Sequence, residues 1–174
     1  MQHTRVGILS DSHGRVENTR LAVRMLLDHE CSLLLHLGDL GSDQVIDELV
    51  GHNARIVLGN CDDDVIGRYA ELVGVINDHP AGRITIDDRT IAYTHGHIES
   101  AMREALSAGV DYLLHGHTHE VRDERIGHTR LINPGALHRA ARYTAAVLEP
   151  ATGRLELLAL PRPVRERLGG RADA

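Results

Sequence analysis

The stretch Val6-Gly-Ile-Leu9, followed at once by Ser10-Asp11-Ser12-His13, decides the fold. An apolar run this short reads as a buried strand, and it stops on residue types that bind metals. The pattern recurs along the chain. Leu33 to Leu37 precedes Gly38-Asp39, and Ile56-Val-Leu58 precedes Gly59-Asn60-Cys61-Asp62. Ile91-Ala-Tyr93 precedes Thr94-His95-Gly96-His97, and Tyr112-Leu-Leu114 precedes His115-Gly116-His117-Thr118-His119. In a parallel α/β sheet, ligands bind in the crevice beyond the carboxyl ends of the strands. Five such runs in the same phase deliver Asp, Asn and His to one rim.

Working outward, Glu17 to Asp28 carries Leu21, Met25 and Leu26 among polar residues and predicts an amphipathic helix. A second helix is expected from Ser42, whose hydroxyl could cap it, through Val45, Ile46 and Leu49. Asp63 to Pro80 holds at most a short helix around Val65 to Leu72. Arg83 to Ile86 and Thr90 to Tyr93 predict a hairpin across Asp87-Asp88-Arg89, and Ile98 to Ala108 a helix ended by Gly109. From Val121 the pattern becomes strands with tight polar turns: Val121 to Ile126, Thr129 to Asn133, Arg142 to Leu148 and Arg154 to Leu160. Helix-linked strands followed by meander strands cannot share one parallel sheet. Two packed sheets with helices outside them follow, an α/β architecture.

With 174 residues the chain is expected to form a single domain over 1–160 and to bury roughly 70% of its unfolded surface. The Arg-, Gly- and Pro-rich stretch from Pro161 to Ala174 reads as a frayed tail. No apolar run approaches the ~20 residues that span a bilayer, so a soluble, cytoplasmic protein without a membrane partner is expected. Cys31 and Cys61 form no close-spaced pair and fit a reducing compartment. Lys is absent, which excludes a phosphate-binding loop of the Gly-Lys-Ser/Thr kind and any Schiff-base mechanism. Net charge −6, with four Tyr as the only aromatics, argues against long nucleic acid as a partner.

Asp11 and His13 stand two apart at a strand end, so continued extension would point both side chains the same way; His117 and His119 repeat the spacing. Asp39 offers a carboxylate able to bridge two cations, Asn60 a neutral carbonyl oxygen, and His95 a further imidazole. Carboxylate, amide and imidazole together suit Mn²⁺, Fe²⁺, Co²⁺, Ni²⁺ or Zn²⁺ better than Ca²⁺ or Mg²⁺. The set exceeds what a single zinc uses, so a pair of divalent transition metals is expected, manganese first. Taken singly, each of these residues is equally an ordinary loop residue; jointly they mark a site. His36 and His115 are expected to pack or hydrogen-bond behind the ligands. His97 is divided between that role and substrate contact, and Cys61 between the site and packing. His3, His29, His52, His79, His128 and His138 read as solvated surface, and Asn133-Pro134-Gly135 as a turn.

Asp11-Ser-His13, Gly38-Asp39, Gly59-Asn60, His95-Gly-His97 and Gly116-His117-Thr-His119 resemble the motif series of the calcineurin-like metallophosphoesterases, in order and spacing, from about Val6 to Gly135. Together with Asn133-Pro-Gly135 and the small size they are most similar to the compact YfcE-type phosphodiesterases. The resemblance implies a four-layer αββα sandwich with two mixed β-sheets. It implies one metal on Asp11, His13, Asp39 and His119, and a second on Asp39, Asn60, His95 and His117. Catalysis would then turn on Asp39, Asn60 and His95, with a hydroxide bridging the metals attacking a small phosphodiester. Many members carry His after the Gly-Asn, where it protonates the leaving group. Here Cys61 stands in that place, and Ala136 where Ser often follows Asn-Pro-Gly. Esters with good leaving groups are therefore expected to be favoured. The alternatives are a non-catalytic scaffold of the same fold, as in the retromer coat, and a phosphomonoesterase or nucleotidase using the same metals. Homo-oligomer formation is compatible with the sequence.

Overall fold

The computed structural model describes residues 3–161. Strand β1 (Val6–Leu9) pairs in parallel with β2 (Leu33–His36), β2 with β3 (Ala54–Ile56), and β3 with a two-residue β4 (Ile76–Asn77). On its other side β1 pairs antiparallel with β10 (Thr144–Glu149), which pairs with β11 (Arg154–Ala159). The second sheet joins β5 (Ala81–Ile86), β6 (Arg89–Thr94), β7 (Tyr112–Leu114), β9 (Thr129–Pro134) and β8 (Val121–Ile126), in the order β5-β6-β7-β9-β8. Within it β6, β7 and β9 are parallel, and both outer pairs are antiparallel. Both sheets are therefore mixed.

Three separate cores show how these sheets stack. Ile8, Leu35, Tyr93, Leu114, Ile132 and Leu148 pack together between the sheets. Their strand neighbours Leu9, Leu34 and Val147 face the other way, against Ala22, Val23 and Leu26 of α1 (Val16–Asp28) and Val45 and Ile46 of α2 (Asp43–Asp47). Ala92 and Leu113 face outward from the second sheet onto Met102, Ala105 and Leu106 of α4 (Glu99–Ser107). Alternate residues of one strand thus enter different cores, which is why the runs are apolar without interruption. Helix, sheet, sheet, helix is the four-layer αββα sandwich expected from the sequence.

The sequence placed most elements within a few residues and missed others. α3 (Asp64–Leu72) is started by Asp63, whose side chain accepts from Val65 N and Ile66 N. Gly109 stops α4 with φ +68°, the left-handed conformation that costs Gly least. The hairpin turn holds Asp87 and Asp88 at φ +50° and +61°. Strand β4 carries no apolar run and was not legible. α2 is shorter than expected, and the Ser42 hydroxyl makes no capping bond; Asp43 Oδ1 accepts from Gln44 N instead. The expected tail falls, after Pro161, outside the described residues. Among the described residues no helix is long and apolar enough to cross a membrane.

Candidate metal centre

Three parallel strands of each sheet (β1, β2, β3 and β6, β7, β9) end at one rim, and the loops beyond them are bonded to each other. Asp11 N donates to Gly38 O, His13 N to Asp39 O and Gly14 N to Leu40 O, so the first two loops stay zipped beyond their strands. Gly116 N donates to His95 O, and Leu137 N to Ser10 O, which carries the network across to the second sheet. Loops packed this closely need missing side chains. A Cβ on Gly59 would overlap Asp39 Oδ1, and one on Gly116 would overlap Ser10 Oγ.

Asp11, His13, Asp39 and His119 form the first donor group, with one ligand atom from each lying within 4.8 Å of all the others. His13 Nε2 is 3.2 Å from His119 Nε2 and 3.4 Å from Asp39 Oδ2, and His119 Nε2 is 3.3 Å from Asp11 Oδ1. Four donors placed about 2.1 Å from one ion on a tetrahedron stand about 3.4 Å apart. The separations fit a cation of that size. Asp11 Oδ1 is moreover fully buried without a hydrogen-bond partner among the described residues, a cost that a cation would remove.

The second group forms around His95. Its Nδ1 lies 2.7 Å from Leu37 O, which fixes that nitrogen as a donor, so in the neutral ring Nε2 carries the lone pair. Nε2 faces Asn60 Oδ1 at 3.2 Å and Asp39 Oδ2 at 3.5 Å. Lone pairs converging on one point again fit a cation. The His117 ring is 5.1 Å from that of His95. Asp39 Oδ2 is common to both groups. All seven residues singled out in the sequence meet at this rim.

The backbone differs from the expectation of continued extension. Asp11 (φ +56°), His13 (+44°), Asp39 (+54°), His117 (+70°) and His119 (+61°) are all left-handed. The two-residue spacing therefore does not act through strand alternation. It joins Asp11 and His13 in one group but sends His119 to that group and His117 to the other. Left-handed non-Gly residues cluster at functional sites, and Asp and His are among the side chains that tolerate the region.

Electrostatics follow from burial and these contacts. Burial raises Asp11, opposed by the His95 and His119 charges. Burial also acts to raise Asp39, but the bond to His95, the Cys61 N–H and the His95 and His13 charges hold it well below the carboxylate range. His95 is pushed down by burial and, more strongly, up by Asp39 and the Leu37 carbonyl. His36 is brought to about 3 by burial and the His95 charge, so it is neutral. Its Nδ1 accepts from Gly38 N, and its Nε2 lies 2.8 Å from Ser12 Oγ, which Thr19 Oγ1 also contacts. His36 therefore ties the β2 loop to the β1 loop. His115 is lowered by burial and bonds through Nδ1 to Gly116 O.

Supporting residues go beyond those the sequence reading assigned to the site, although Asn133 was read as the turn it makes. Asp62 accepts from Leu40 N, Gly41 N and Gly59 N, joining the loop of Asp39 to that of Asn60. Asn133 turns the chain by accepting from Gly135 N, and its Nδ2 also reaches Gly116 O and Thr118 Oγ1. His138, read as solvated surface, lies instead with its ring 5.4 Å from that of His13, and Arg15 Nε donates to its Nδ1. Cys61 is exposed, which overturns packing; its N–H donates to Asp39 Oδ1. Partial burial and the Asp39, Asp62 and Asp11 charges raise its thiol. His97 sits beside His95, ring centroids 5.2 Å apart, with Nδ1 buried and unpartnered among the described residues.

Comparison with known proteins identifies the family. Phosphodiesterase MJ0936 of Methanocaldococcus jannaschii is 33% identical over 138 residues, covering 75% of this chain and 82% of its own. A solved structure described as a novel archaeal phosphodiesterase superposes with a TM-score of 0.80 at 27% identity, covering 90% of this chain and 100% of the other. The Escherichia coli phosphoesterase Yfce shares the fold, with a TM-score of 0.64 at 20% identity over 91% of this chain and 100% of the other. Residues 4–153 match the family model of the calcineurin-like phosphoesterase superfamily domain, and the chain belongs to that superfamily.

Proposed function

We propose that this chain hydrolyses small phosphodiesters at a centre of two divalent transition-metal ions. Asp11, His13, Asp39 and His119 would hold one ion, and Asp39, Asn60, His95 and His117 the other. Manganese is the first candidate, with Zn, Ni, Fe and Co as alternatives. The observation that carries the reading is Asp39 Oδ2, which stands 3.4 Å from His13 Nε2 and 3.5 Å from His95 Nε2. One oxygen faces both donor groups, so this carboxylate could serve both ions. Two ions so held supply Lewis acidity toward the phosphoryl oxygens and an activated water.

The chain's own residues define what else is available. The Cys61 N–H and the His95 contact keep Asp39 ionised and aimed. Leu37 O keeps His95 Nε2 turned to the site. With its thiol raised, Cys61 is a poor proton donor, so diesters whose leaving groups depart unprotonated are favoured over alkyl monoesters. The relative at 33% identity, itself named a phosphodiesterase, supports the same substrate class. Net charge −6 supports a small substrate over a long nucleic acid; action in the cytoplasm is part of the same proposal.

The test is reconstitution with each of the five metals, metal analysis, and assay against bis(p-nitrophenyl) phosphate and p-nitrophenyl phosphate. Metal-dependent turnover with the diester preferred, and about two ions per chain, is the expected result. Preference for the monoester would reassign the substrate class. No turnover with any metal would leave a scaffold.

A further inference from the structure

We propose that Arg15 and His138 form an anion-binding pair on the rim beside the first donor group, which receives an oxygen of the substrate's phosphoryl group. The inference rests on the phosphoester reading above and names the residues that would set affinity. Arg15 follows Asp11-Ser-His-Gly14 just before α1, and His138 lies beyond β9. Far apart in sequence, they meet through Arg15 Nε and His138 Nδ1 at 3.2 Å.

Three observations point to an anion. The first is the direction of the hydrogen bonds. A guanidinium N–H only donates, so His138 Nδ1 is the acceptor and the neutral ring carries its proton on Nε2. Both partners therefore present donors to what approaches them. The second is rigidity. Leu137 N donates to Ser10 O, and Asn18 Nδ2 donates to Leu137 O at 2.7 Å, which pins the residue before His138 to the β1 loop and to α1. The third is charge. Among the described residues no carboxylate lies within ion-pairing distance of Arg15. Glu17, two residues on, and Glu48 are both engaged by Arg20. A guanidinium left without a counterion, held by a fixed histidine beside a metal-type cluster, matches the fork that binds phosphate oxygens.

Arg15 also borders an open cleft with Gly14, Val16, Glu17, Asn18 and Tyr143, whereas His138 lies on the other side of the guanidinium, toward the His13 ring.

Arg15→Gln, His138→Gln and the double variant decide the matter in full-length, Mn²⁺-reconstituted protein. Inorganic phosphate is titrated by calorimetry, and kcat and KM are measured on bis(p-nitrophenyl) phosphate. Each single variant should weaken phosphate binding and raise KM about tenfold, with kcat falling much less and metal content unchanged. The double variant should lose less than the product of the singles, since each partner holds the other. Wild-type phosphate affinity in both single variants would overturn the proposal, and so would loss of bound metal from either. Should the wild-type protein turn over no ester, the phosphoester reading fails. The phosphate titration then still decides this pair, since weakened binding in the variants supports it and unchanged binding refutes it.

Discussion

Asp62→Ala should damage this protein more than the loss of a half-exposed loop carboxylate would suggest. The Asp62 side chain accepts Gly59 N at 2.8 Å, Gly41 N at 2.9 Å and Leu40 N at 3.1 Å. Truncation strands three backbone donors at once. A hydrogen bond to a charged group contributes about 1.5–3 kcal/mol, but water can reach this loop and replace part of that. A total loss of about 2–4 kcal/mol follows, which for a domain of this size lowers the melting temperature by roughly 4–16 °C. The same change frees the loop of Asp39 from the loop of Asn60. A displacement of about 1 Å at a reacting centre can cost about 100-fold in rate. kcat should therefore fall by about that factor although no proposed ligand has been replaced. Asp62→Asn should lie between, because its amide keeps one acceptor and turns a donor toward the other N–H groups. Bound metal would tie the two loops independently, so the thermal shift should be smaller in Mn²⁺-loaded than in chelated protein. Calorimetry on both forms, with kcat on an aryl diester, makes the check. An Asp62→Ala protein that melts and turns over like wild type would refute the claim that this carboxylate joins the loops.

Other expectations follow from the same contacts. Asp39→Ala removes the oxygen facing both donor groups and should cost several orders of magnitude in rate with the fold kept; circular dichroism and turnover measured together check it, and a near-normal rate would place the chemistry elsewhere. His36, lowered from 6.5 to about 3 in the folded chain, refuses a proton that the unfolded chain takes up. Stability is thus full above about pH 6.5 and falls by up to about 1.4 kcal/mol per pH unit down to about pH 3. Urea unfolding of chelated protein at several pH values should show that slope and His36→Gln should lessen it; equal slopes would contradict a neutral buried His36. Cys61→Ala should keep most activity on an aryl diester, and Cys61→His should help poorer leaving groups more than aryl ones. Loss of aryl hydrolysis in Cys61→Ala with metals still bound would give the thiol a direct catalytic role.

What the sequence made legible is what period and composition encode. The runs ending at Leu9, Tyr93 and Leu114 are buried on both faces, and each lies in a strand. Hairpins were legible from their polar turns, yet a hairpin's register does not say which sheet it joins. The strands Val121–Ile126 and Thr129–Pro134 extend the second sheet, whereas Thr144–Glu149 crosses back to lie beside Val6–Leu9. Strand Ile76–Asn77 was illegible because two residues with little burial carry no period. Among the site residues, those with metal-binding chemistry stood out in the sequence. Asp62 and His138 did not, because their role depends on loops that meet only after folding.

The backbone of the site was the least legible part, and it is the part that separates function from fold. Extended geometry would have aimed His117 and His119 together; left-handed φ at both sends one toward His95 and the other toward His13. A left-handed non-Gly residue costs on the order of 1 kcal/mol, and this rim holds Asp11, His13, Asp39, His117 and His119 in that state. Gly would relieve the strain at each position. Gly would also remove a carboxylate or an imidazole from a point where ligand-type atoms converge to within 3.2–3.5 Å. Neither the strained backbone nor the converging ligand-type atoms help the chain fold. Both are what holding a cation would require of these side chains, which is why this rim reads as a metal centre and not as a set of polar loops.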